Sequence, residues 1–284
     1  MQTPDHEDFF HYKRQIAQKF DRAALTYDAY ADFQRLVLDW LICHLPSLPS
    51  ARTDIVLDVG AGTGQALPRL ARLLSPRLSI ALDLSSLMLT KASTNLAKQG
   101  GDHSFSFVCA DAEALPFADN SIDVIFSSLA MQWCLNPSML FSELYRVTKP
   151  GGYLVFSTLC EGSMPEIEAS WKGVDQAPHI NQYPSFDALL EQVSHCHWQT
   201  HAAELVTVPM WFESPESAIH SLKKVGASLV VSTQKNQMSP SKWKVFIKQY
   251  EQLRESAGIP LRYQVAFVVL QKPVLNRCLV ESDL

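Results

Sequence analysis

Apolar residues recur at two different spacings along the chain, and their order predicts a doubly wound α/β fold. Between residues 55 and 158, short runs of valine, isoleucine and leucine alternate with segments that carry apolar residues at helical spacing. Strands that alternate with helices form βαβ units, so we expect a mostly parallel sheet. The predicted strands are 55–59, 78–83, 106–110, 122–127 and 153–158, and the predicted helices are 67–74, 86–96 and 137–148.

The two ends of the chain follow a different pattern. Residues 10–45 keep apolar residues at helical spacing, which predicts a long helical segment before the proline-containing stretch 46–50. After residue 158 the alternation weakens, and helices mix with late strands. There we predict helices at 186–196 and 240–257, a further helix opening at Ser214, and strands at 201–211 and 262–271.

Charge and hydropathy narrow the class of protein. The chain has 24 Lys and Arg against 29 Asp and Glu, a net charge of −5, which disfavours a general nucleic-acid binder. No apolar run approaches the roughly 18 residues that span a bilayer, and the acidic Asp5, Glu7 and Asp8 are unlike a signal peptide. We therefore expect a soluble, cytoplasmic protein with neither a nucleic-acid nor a membrane partner.

The cysteines and histidines do not predict a metal site. The six cysteines are scattered and form no Cys-x-x-Cys pair, which favours reduced thiols. His195 and His197, with His201 nearby, could share one face of a strand. Because no second ligand pair has a typical zinc spacing, we interpret them as a polar sheet edge.

A glycine-rich turn follows the first predicted strand, in the sequence Asp58-Val59-Gly60-Ala61-Gly62-Thr63-Gly64. Glycine allows positive φ and close approach of the backbone to a ligand. The dinucleotide fingerprint Gly-x-Gly-x-x-Gly fails, because Gln65 occupies its third position. An acid two residues before the glycines would repel a pyrophosphate but attract the ammonium group of an amino acid.

Two further carboxylates stand at predicted strand ends. Asp83 ends the second strand, where an acid can accept hydrogen bonds from ribose hydroxyls. Asp111, followed by Ala112, ends the third, where a carboxylate can accept an adenine amino proton. A single such acid could equally be a surface or capping residue. Together the three describe a ligand with an ammonium group, a ribose and an adenine but no phosphate, namely S-adenosylmethionine (SAM).

These motifs, with Arg146-Val147-Thr148-Lys149-Pro150-Gly151-Gly152 before the fifth strand, resemble the class I SAM-dependent methyltransferases over residues 55–158. The resemblance implies a seven-stranded Rossmann-like sheet with SAM as cofactor and S-adenosylhomocysteine as product. It places the first-motif glycines against the methionine part, Asp83 on the ribose, and Asp111 and Ala112 beside adenine. The implied cofactor-binding residues are Asp58, Gly60, Gly62, Gly64, Asp83, Leu84, Asp111, Ala112, Ser127, Ser128 and Leu129.

Further fragments resemble a narrower family, the malonyl-acyl carrier protein O-methyltransferases of biotin synthesis. They include Phe20-x-x-Ala23-Ala24-x-x-Tyr27, the segment 127–134 and Trp171-x-x-Val174-Asp175, and they extend over most of residues 20–270. Many relatives have cysteine where this chain has Ala61. The resemblance implies an N-terminal helical lid (1–50), a SAM-binding core (51–158), a substrate and carrier-protein region containing the final strands (159–272) and a tail (273–284) that matches nothing.

The implied acceptor, the free carboxyl of a malonyl thioester, is already ionised at neutral pH, with a pKa of ~4 by analogy with aspartate. No general base is therefore required, and the protein needs to orient and partly desolvate a carboxylate. The candidates for positioning are Tyr27, Gln132, Trp133 and Ser163. Tyr27 and Trp133 could equally be aromatic residues that only pack the core.

Carrier proteins are typically acidic, so a basic docking surface is expected. Residues 217–250 contain no Asp or Glu, and their lysines include the docking candidates Lys223, Lys224, Lys242 and Lys244. A solvated helix face is the alternative interpretation. A second candidate patch on the first helix consists of Lys13, Arg14, Lys19 and Arg22.

Other interpretations remain open at this point. His179 and Asn181 are candidate lid residues, whereas Arg146 is expected to be a structural partner of Glu143. The first three motifs fit a methyltransferase of a small acid or a quinone equally well. A SAM-binding protein without catalytic activity would also keep them. The glycine spacing disfavours a dehydrogenase.

Overall fold

The strands of the sheet have the expected doubly wound arrangement. A computed structural model describes residues 6–45, 53–98, 103–175, 177–226 and 239–274. The sheet order is β3-β2-β1-β4-β5-β7-β6, and all neighbours are parallel except β7, which runs antiparallel to β5 and β6. The strands are β1 (Ile55–Val59), β2 (Leu78–Asp83), β3 (Phe105–Cys109), β4 (Ile122–Ser128), β5 (Thr148–Leu159), β6 (Gln199–Phe212) and β7 (Ile259–Gln271).

Helices cover both faces of this sheet and precede it at the N-terminus. Within the described residues they are α1 (His6–Ala23), α2 (Tyr27–Tyr30), α3 (Asp32–Ile42), α4 (Leu67–Leu74), α5 (Ser86–Ala97), α6 (Pro137–Val147), α7 (Pro165–Lys172), α8 (Phe186–His195), α9 (Pro215–Lys224) and α10 (Pro240–Glu251). The prediction of a mostly parallel, seven-stranded, Rossmann-like sheet is confirmed. Within the described residues, each helix is too short or too polar to cross a bilayer.

Side-chain alternation along the strands builds a separate core on each face. Val56, Val124 and Val155 point to the layer that contains α3, α7 and α10. Their neighbours Leu57 and Ile125 point to the layer that contains α6 and α8. Because both faces are covered, the strands are apolar throughout, as expected for a parallel sheet.

Four local predictions differ from the structure. The segment 10–45 is three helices, because turns at Leu25 and Ala31 redirect the chain. The helix predicted at 240–257 ends at Glu251, and residues 255–258 form a turn in which Gly258 has φ +124°. His195 ends α8 and His197 lies in the turn after it, so the two do not share a strand face. The fifth strand begins at residue 148 because Thr148 pairs with Ile122 of β4, across a register shift that precedes the pairing of Tyr153 with Val124.

The chain order of the strands reverses between β1 and β4. At such a switch point the loops diverge from the carboxyl ends of neighbouring strands and leave a crevice for a ligand. The three carboxylates singled out from the sequence lie at or after the ends of β1, β2 and β3. The functional division of the chain at residues 50, 158 and 272 stays a prediction.

Candidate active site

The glycine-rich turn after β1 brings backbone close to the end of β2. The N–H groups of Gly60 and Ala61 donate to the carbonyl of Leu82 at 2.8 and 3.0 Å. Gly60 has φ +72°, and a Cβ there would lie 2.2 Å from the Cβ of Ala130. Gly62 has φ +54°, and a Cβ there would meet no atom within 4 Å. Gly60 therefore permits close packing, and Gly62 presents bare backbone to open space.

Gly64 packs closely against α5. Its φ is +80°, and a Cβ would lie 3.0 Å from the Cβ of Ala92 on α5. The residue therefore allows the loop to pack on α5 and does not line the cavity described below. Its assignment to the cofactor stays a prediction.

Asp58 is a buried carboxylate on β1 with an unpaired oxygen. It is 2% exposed, and among the described residues Oδ2 has no hydrogen-bond partner. Burial, with a further contribution from the charge of Asp83, raises the pKa of Asp58 to about 8. A buried carboxylate of this kind is complementary to a cationic ligand group, because such a group would favour its ionised form.

Asp83 is held rigidly at the end of β2. Its Oδ2 accepts from Gly62 N–H at 2.9 Å and its Oδ1 accepts from Ser85 N–H at 2.8 Å. Burial raises the pKa of Asp83 to about 6, while these backbone hydrogen bonds oppose the shift. The carboxylate is thus fixed in orientation and retains acceptor capacity toward a diol.

Asp111 forms part of a buried ion cluster that sequence reasoning missed. Lys13 on α1 donates to Asp111 Oδ1 at 2.8 Å and also pairs with Glu113. Lys13 shares a helix face with Ile16 and Phe20 and is 7% exposed. Its assignment to a surface patch is therefore wrong. The spacing of Lys13, Ile16 and Phe20 is the one sequence signal that could have placed the lysine inward.

The N-terminal helices are fastened over the glycine-rich turn by two aspartates. Asp21 on α1 accepts from the hydroxyl of Ser85 at 2.6 Å. Asp28 on α2 accepts from the Thr63 hydroxyl at 2.5 Å and from the Gln65 amide at 2.7 Å. Both contacts reach residues of the loops that carry the carboxylates, so α1 and α2 cover that end of the sheet.

A cavity of about 770 Å³, here the glycine-loop cavity, lies between these helices and the strand ends. Gly60, Gly62 and Asp83 line it, as do five other residues that the sequence implied: Leu84, Asp111, Ala112, Ser128 and Leu129. Asp58 and Ser127 do not line it, and the buried hydroxyl of Ser127 donates to the carbonyl of Val59.

A second cavity of about 790 Å³, here the aromatic cavity, adjoins the first. Four residues line both cavities and so form their common wall: Phe20, Tyr27, Leu129 and Trp133. The remaining aromatic lining residues are Tyr30, Phe33, Tyr183, Phe212 and Tyr263. Asp32 is the one charged residue of this lining, and within the described residues no Lys, Arg or His lines the cavity.

Two polar side chains at the aromatic cavity can donate hydrogen bonds: the Gln132 amide, by its orientation, and the Tyr27 phenol, by its protonation. Gln132 lines it, and its Oε1 accepts from the Thr158 hydroxyl at 3.2 Å, which directs the amide NH₂ away from Thr158. Burial, reinforced by the charges of Asp83 and Asp28, raises the pKa of Tyr27, so its phenol stays protonated and remains a donor.

Ser163 is not part of either cavity. Its hydroxyl donates to the carbonyls of Cys160 and Gln264 and accepts from Gln264 N–H at 2.9 Å. These contacts tie the end of β5 to β7. The hydroxyl therefore has a structural role, and its predicted part in acceptor positioning stays a prediction.

The remaining candidates lie around the late helices. Lys223 and Lys224 end α9, and their ammonium groups lie 5.7 Å from the Trp243 ring and 5.3 Å from the Tyr30 ring. Lys242 pairs with Asp175 at 2.9 Å, whereas Lys244 is exposed. A further lysine of this segment, Lys235, lies outside the described residues.

His179 and Arg146 have structural partners. The His179 ring stacks on Trp171 at 3.7 Å and bonds to Asp175 at 2.7 Å. This bond, followed by that from Lys242, lowers the pKa of Asp175 to about 2. Arg146 pairs with Glu143, as predicted.

Comparison with known proteins agrees with this geometry. A family model described as a methyltransferase domain matches residues 57–156. A malonyl-[acyl-carrier protein] O-methyltransferase from Marinomonas sp. (strain MWYL1) is 55% identical over 92% of this chain and 95% of its own length. The biotin biosynthesis bifunctional protein BioHC from Cellvibrio japonicus (strain Ueda107) is 37% identical over 92% of this chain, which spans 50% of that protein.

The fold is also that of a solved methyltransferase. Phosphoethanolamine N-methyltransferase 2 from Haemonchus contortus, solved in complex with SAM, superposes with a TM-score of 0.54 at 18% identity. The match covers 89% of this chain and 57% of that one. With this fold, the methyltransferase-domain match and the 55% identical relative identify the chain as a SAM-dependent O-methyltransferase. More narrowly, the chain belongs to the malonyl-[acyl-carrier protein] O-methyltransferase family.

Proposed function

We propose that this enzyme methylates the free carboxylate of a malonyl group carried by an acyl carrier protein, an early step of biotin synthesis. The supporting relatives carry that activity or that pathway in their names. The observation that carries the proposal is the aromatic cavity, which adjoins the glycine-loop cavity and has no cationic residue in its described lining.

The glycine-loop cavity, together with the buried Asp58 on β1 that does not itself line it, has the groups that SAM requires. Asp58 would face the methionine ammonium group, and the bare backbone of Gly62 would permit close approach of the ligand. Asp83 would accept from the ribose, and Asp111 would accept from the adenine amine. When bound, SAM supplies an electrophilic methyl group on a sulfonium. The orphaned oxygen of Asp58 and the open space beside Gly62 both fit this ligand.

Two residues of the aromatic cavity, Tyr27 and Gln132, orient the acceptor without changing its protonation. The acceptor carboxylate is ionised at neutral pH, since ordinary carboxyl groups have a pKa of ~4. Gln132 and Tyr27 are neutral donors for the carboxylate oxygen that does not react. Neutral donors hold that oxygen without the strong ion pair that would weaken the nucleophile. The aromatic lining removes water from the reacting oxygen, which favours charge neutralisation on transfer.

The same lining favours one carboxylate on an uncharged arm over a small polyacid. A second carboxylate inside the cavity would be desolvated without a cation to pair with, and Asp32 would repel it. Malonyl thioester has one free carboxylate, and its other end is an uncharged thioester. A small acid with several carboxylates, the alternative left open by the sequence, is disfavoured for this reason.

The end of α9 is the proposed docking surface for the carrier protein. Leu222 and Val225 of this segment line the aromatic cavity, and Lys223 and Lys224 lie between them. An acidic partner bound there would present its acyl arm at the cavity mouth. Lys244 adds an exposed positive charge on α10. Lys242 is a weaker candidate because Asp175 already neutralises it.

The direct test is transfer of labelled methyl from SAM to three acceptors: malonyl-acyl carrier protein, malonyl-CoA and aconitate. We expect label in the malonyl carrier protein that mild base releases as methanol, because a methyl ester has formed. Label confined to aconitate would overturn the proposal in favour of a small-acid methyltransferase. The cytoplasmic location expected from the sequence stays a prediction.

A further inference from the structure

A lysine from the N-terminal helix lies inside the glycine-loop cavity. Lys13 lines that cavity, and its side chain is 8% exposed. The residue reaches 98 positions along the chain to bond Asp111 at 2.8 Å, and it pairs with Glu113 as well. Taking a lysine out of water is costly unless it is paired, so this position must be stabilised by the two acids.

The two acids differ in what they do besides bind Lys13. Glu113 is 2% exposed and accepts from the backbone N–H of Asn136, so it is anchored in the protein. The side chain of Asp111 is 25% exposed and faces the cavity. Glu113 therefore fixes the lysine, whereas Asp111 is the member of the cluster that a ligand can reach.

The hydrogen bonds to the Asp111 carboxylate converge on one oxygen. Lys13 Nζ donates to Oδ1 at 2.8 Å, and the backbone N–H of Glu113 donates to the same atom at 3.0 Å. With Oδ1 held from two directions, the plane of the carboxylate is set and Oδ2 is the oxygen that can face a ligand. An adenine is recognised against hypoxanthine by an acceptor of this kind, because adenine has an amine where hypoxanthine has a carbonyl.

We propose that Lys13 is a positioning residue for nucleobase recognition, which orients Asp111 toward the exocyclic amine of the cofactor's adenine. The inference rests on the proposed function only in taking SAM as the ligand. It assigns to α1 a role in base selectivity, beyond covering the cavity. Loss of the lysine would let the Asp111 carboxylate rotate and would weaken selectivity for adenine.

The test compares binding of S-adenosylhomocysteine and S-inosylhomocysteine by calorimetry in matched variants. Lys13→Met removes the ammonium group, and Lys13→Met with Glu113→Gln removes the buried acid that the first change leaves unpaired. The single variant Glu113→Gln keeps the bond from Lys13 to Asp111 and serves as the control. Thermal unfolding of each ligand-free variant measures the purely structural contribution of the ion cluster.

We expect the preference for the adenine ligand to fall about tenfold in both Lys13 variants, since a hydrogen bond to a charged group is lost or misdirected. Glu113→Gln should keep the wild-type preference. If the Lys13 variants bound both ligands more weakly by the same factor, the inference would be overturned, because Lys13 would then only shape the cavity. An unchanged preference would overturn it too. Failure of the wild type to bind S-adenosylhomocysteine at all would instead contradict the proposed function.

Discussion

The rings of Phe20 and Trp133 meet edge to face, with centroids 5.5 Å apart and planes at 85°. Phe20 belongs to α1, and Trp133 lies in the short turn after β4, so the contact joins the N-terminal helices to the sheet. Both residues line both cavities. Under the proposed function, the methyl group would pass from one cavity to the other at this wall, alongside Tyr27 and Leu129.

Truncation of this wall should impair turnover more than cofactor binding. We expect Phe20→Ala to lower kcat roughly a hundredfold, since loss of the aromatic support admits water and misaligns the acceptor by about an ångström. Phe20→Leu, which keeps apolar bulk, should retain most activity. Steady-state kinetics with a separate SAM titration measures both effects. Equal kcat for the two variants would mean that the wall does not orient the acceptor.

A negative charge at Gln132 should block acceptor binding. In Gln132→Glu a carboxylate would replace the amide that Thr158 holds at the aromatic cavity. Two like charges about 4 Å apart repel by about 4 kcal/mol in a partly shielded site, so kcat/KM should fall at least a hundredfold. Gln132→Leu should cost less because it adds no charge. The prediction fails if the two variants have the same kcat/KM, measured with malonyl-acyl carrier protein.

The ligand-free protein should lose stability as the pH rises from 4 to 8. Unfolded Asp58 ionises near pH 4, whereas burial raises its folded pKa to about 8, so over this range the unfolded state binds fewer protons. The stability that the bound proton contributes is fully present below pH 4. It falls as the pH rises and stops falling once the folded carboxyl has ionised, above about pH 8. Asp83, with a pKa of about 6, adds to the slope below pH 6.

Asp58→Asn should therefore flatten the melting temperature between pH 6 and 8 while weakening SAM binding. The substitution keeps the shape of the side chain but removes the charge that would face the ammonium group. Thermal unfolding across pH, with and without SAM, measures both effects. A variant whose melting temperature retains the wild-type pH slope would show that Asp58 is not the titrating group.

Charge reversal at the end of α9 should weaken binding of the carrier-bound substrate without affecting binding of SAM. We expect Lys223→Glu with Lys224→Glu to raise KM for malonyl-acyl carrier protein by about tenfold, since complementary charge favours encounter. SAM affinity should not change. The matched control is Arg72→Glu with Arg77→Glu, because both arginines are exposed and Arg77 precedes β2, which lies next to the edge strand β3 at the end of the sheet opposite β6. Similar KM increases in both double variants would exclude α9 as the docking surface.

Arg146 should matter for stability and not for chemistry. Its guanidinium pairs with Glu143 and donates to the carbonyls of Leu115 and Phe117 at 3.0 and 2.8 Å. Arg146→Ala leaves those acceptors without their donor, which we expect to cost about 2 kcal/mol of unfolding free energy. Denaturant unfolding measures the loss, and kcat at a permissive temperature should stay near wild type. A large fall in kcat without a loss of stability would contradict this role.

Much of the candidate cofactor site could be predicted from local pattern. Asp58 and Asp83 belong to short apolar runs, and the carboxyl ends of parallel strands meet at one edge of the sheet. The placement of Gly60 and Gly62 followed from the same reasoning. The packing of Gly64 and of Ser163 could not be predicted, because spacing along the chain does not tell which neighbour a residue packs against. Only the structure brings Ala92 beside the first and Gln264 beside the second.

The sequence by itself determined the order of strands and helices, the mostly parallel sheet and the carboxylates at strand ends. These follow from hydrophobic periodicity and from the geometry of βαβ units, which are local properties. Tertiary structure alone decided that Lys13 turns inward to Asp111 and that Phe20 meets Trp133 at the wall between two cavities. Those contacts join residues about a hundred positions apart, and their partners are set by how α1 docks on the finished sheet.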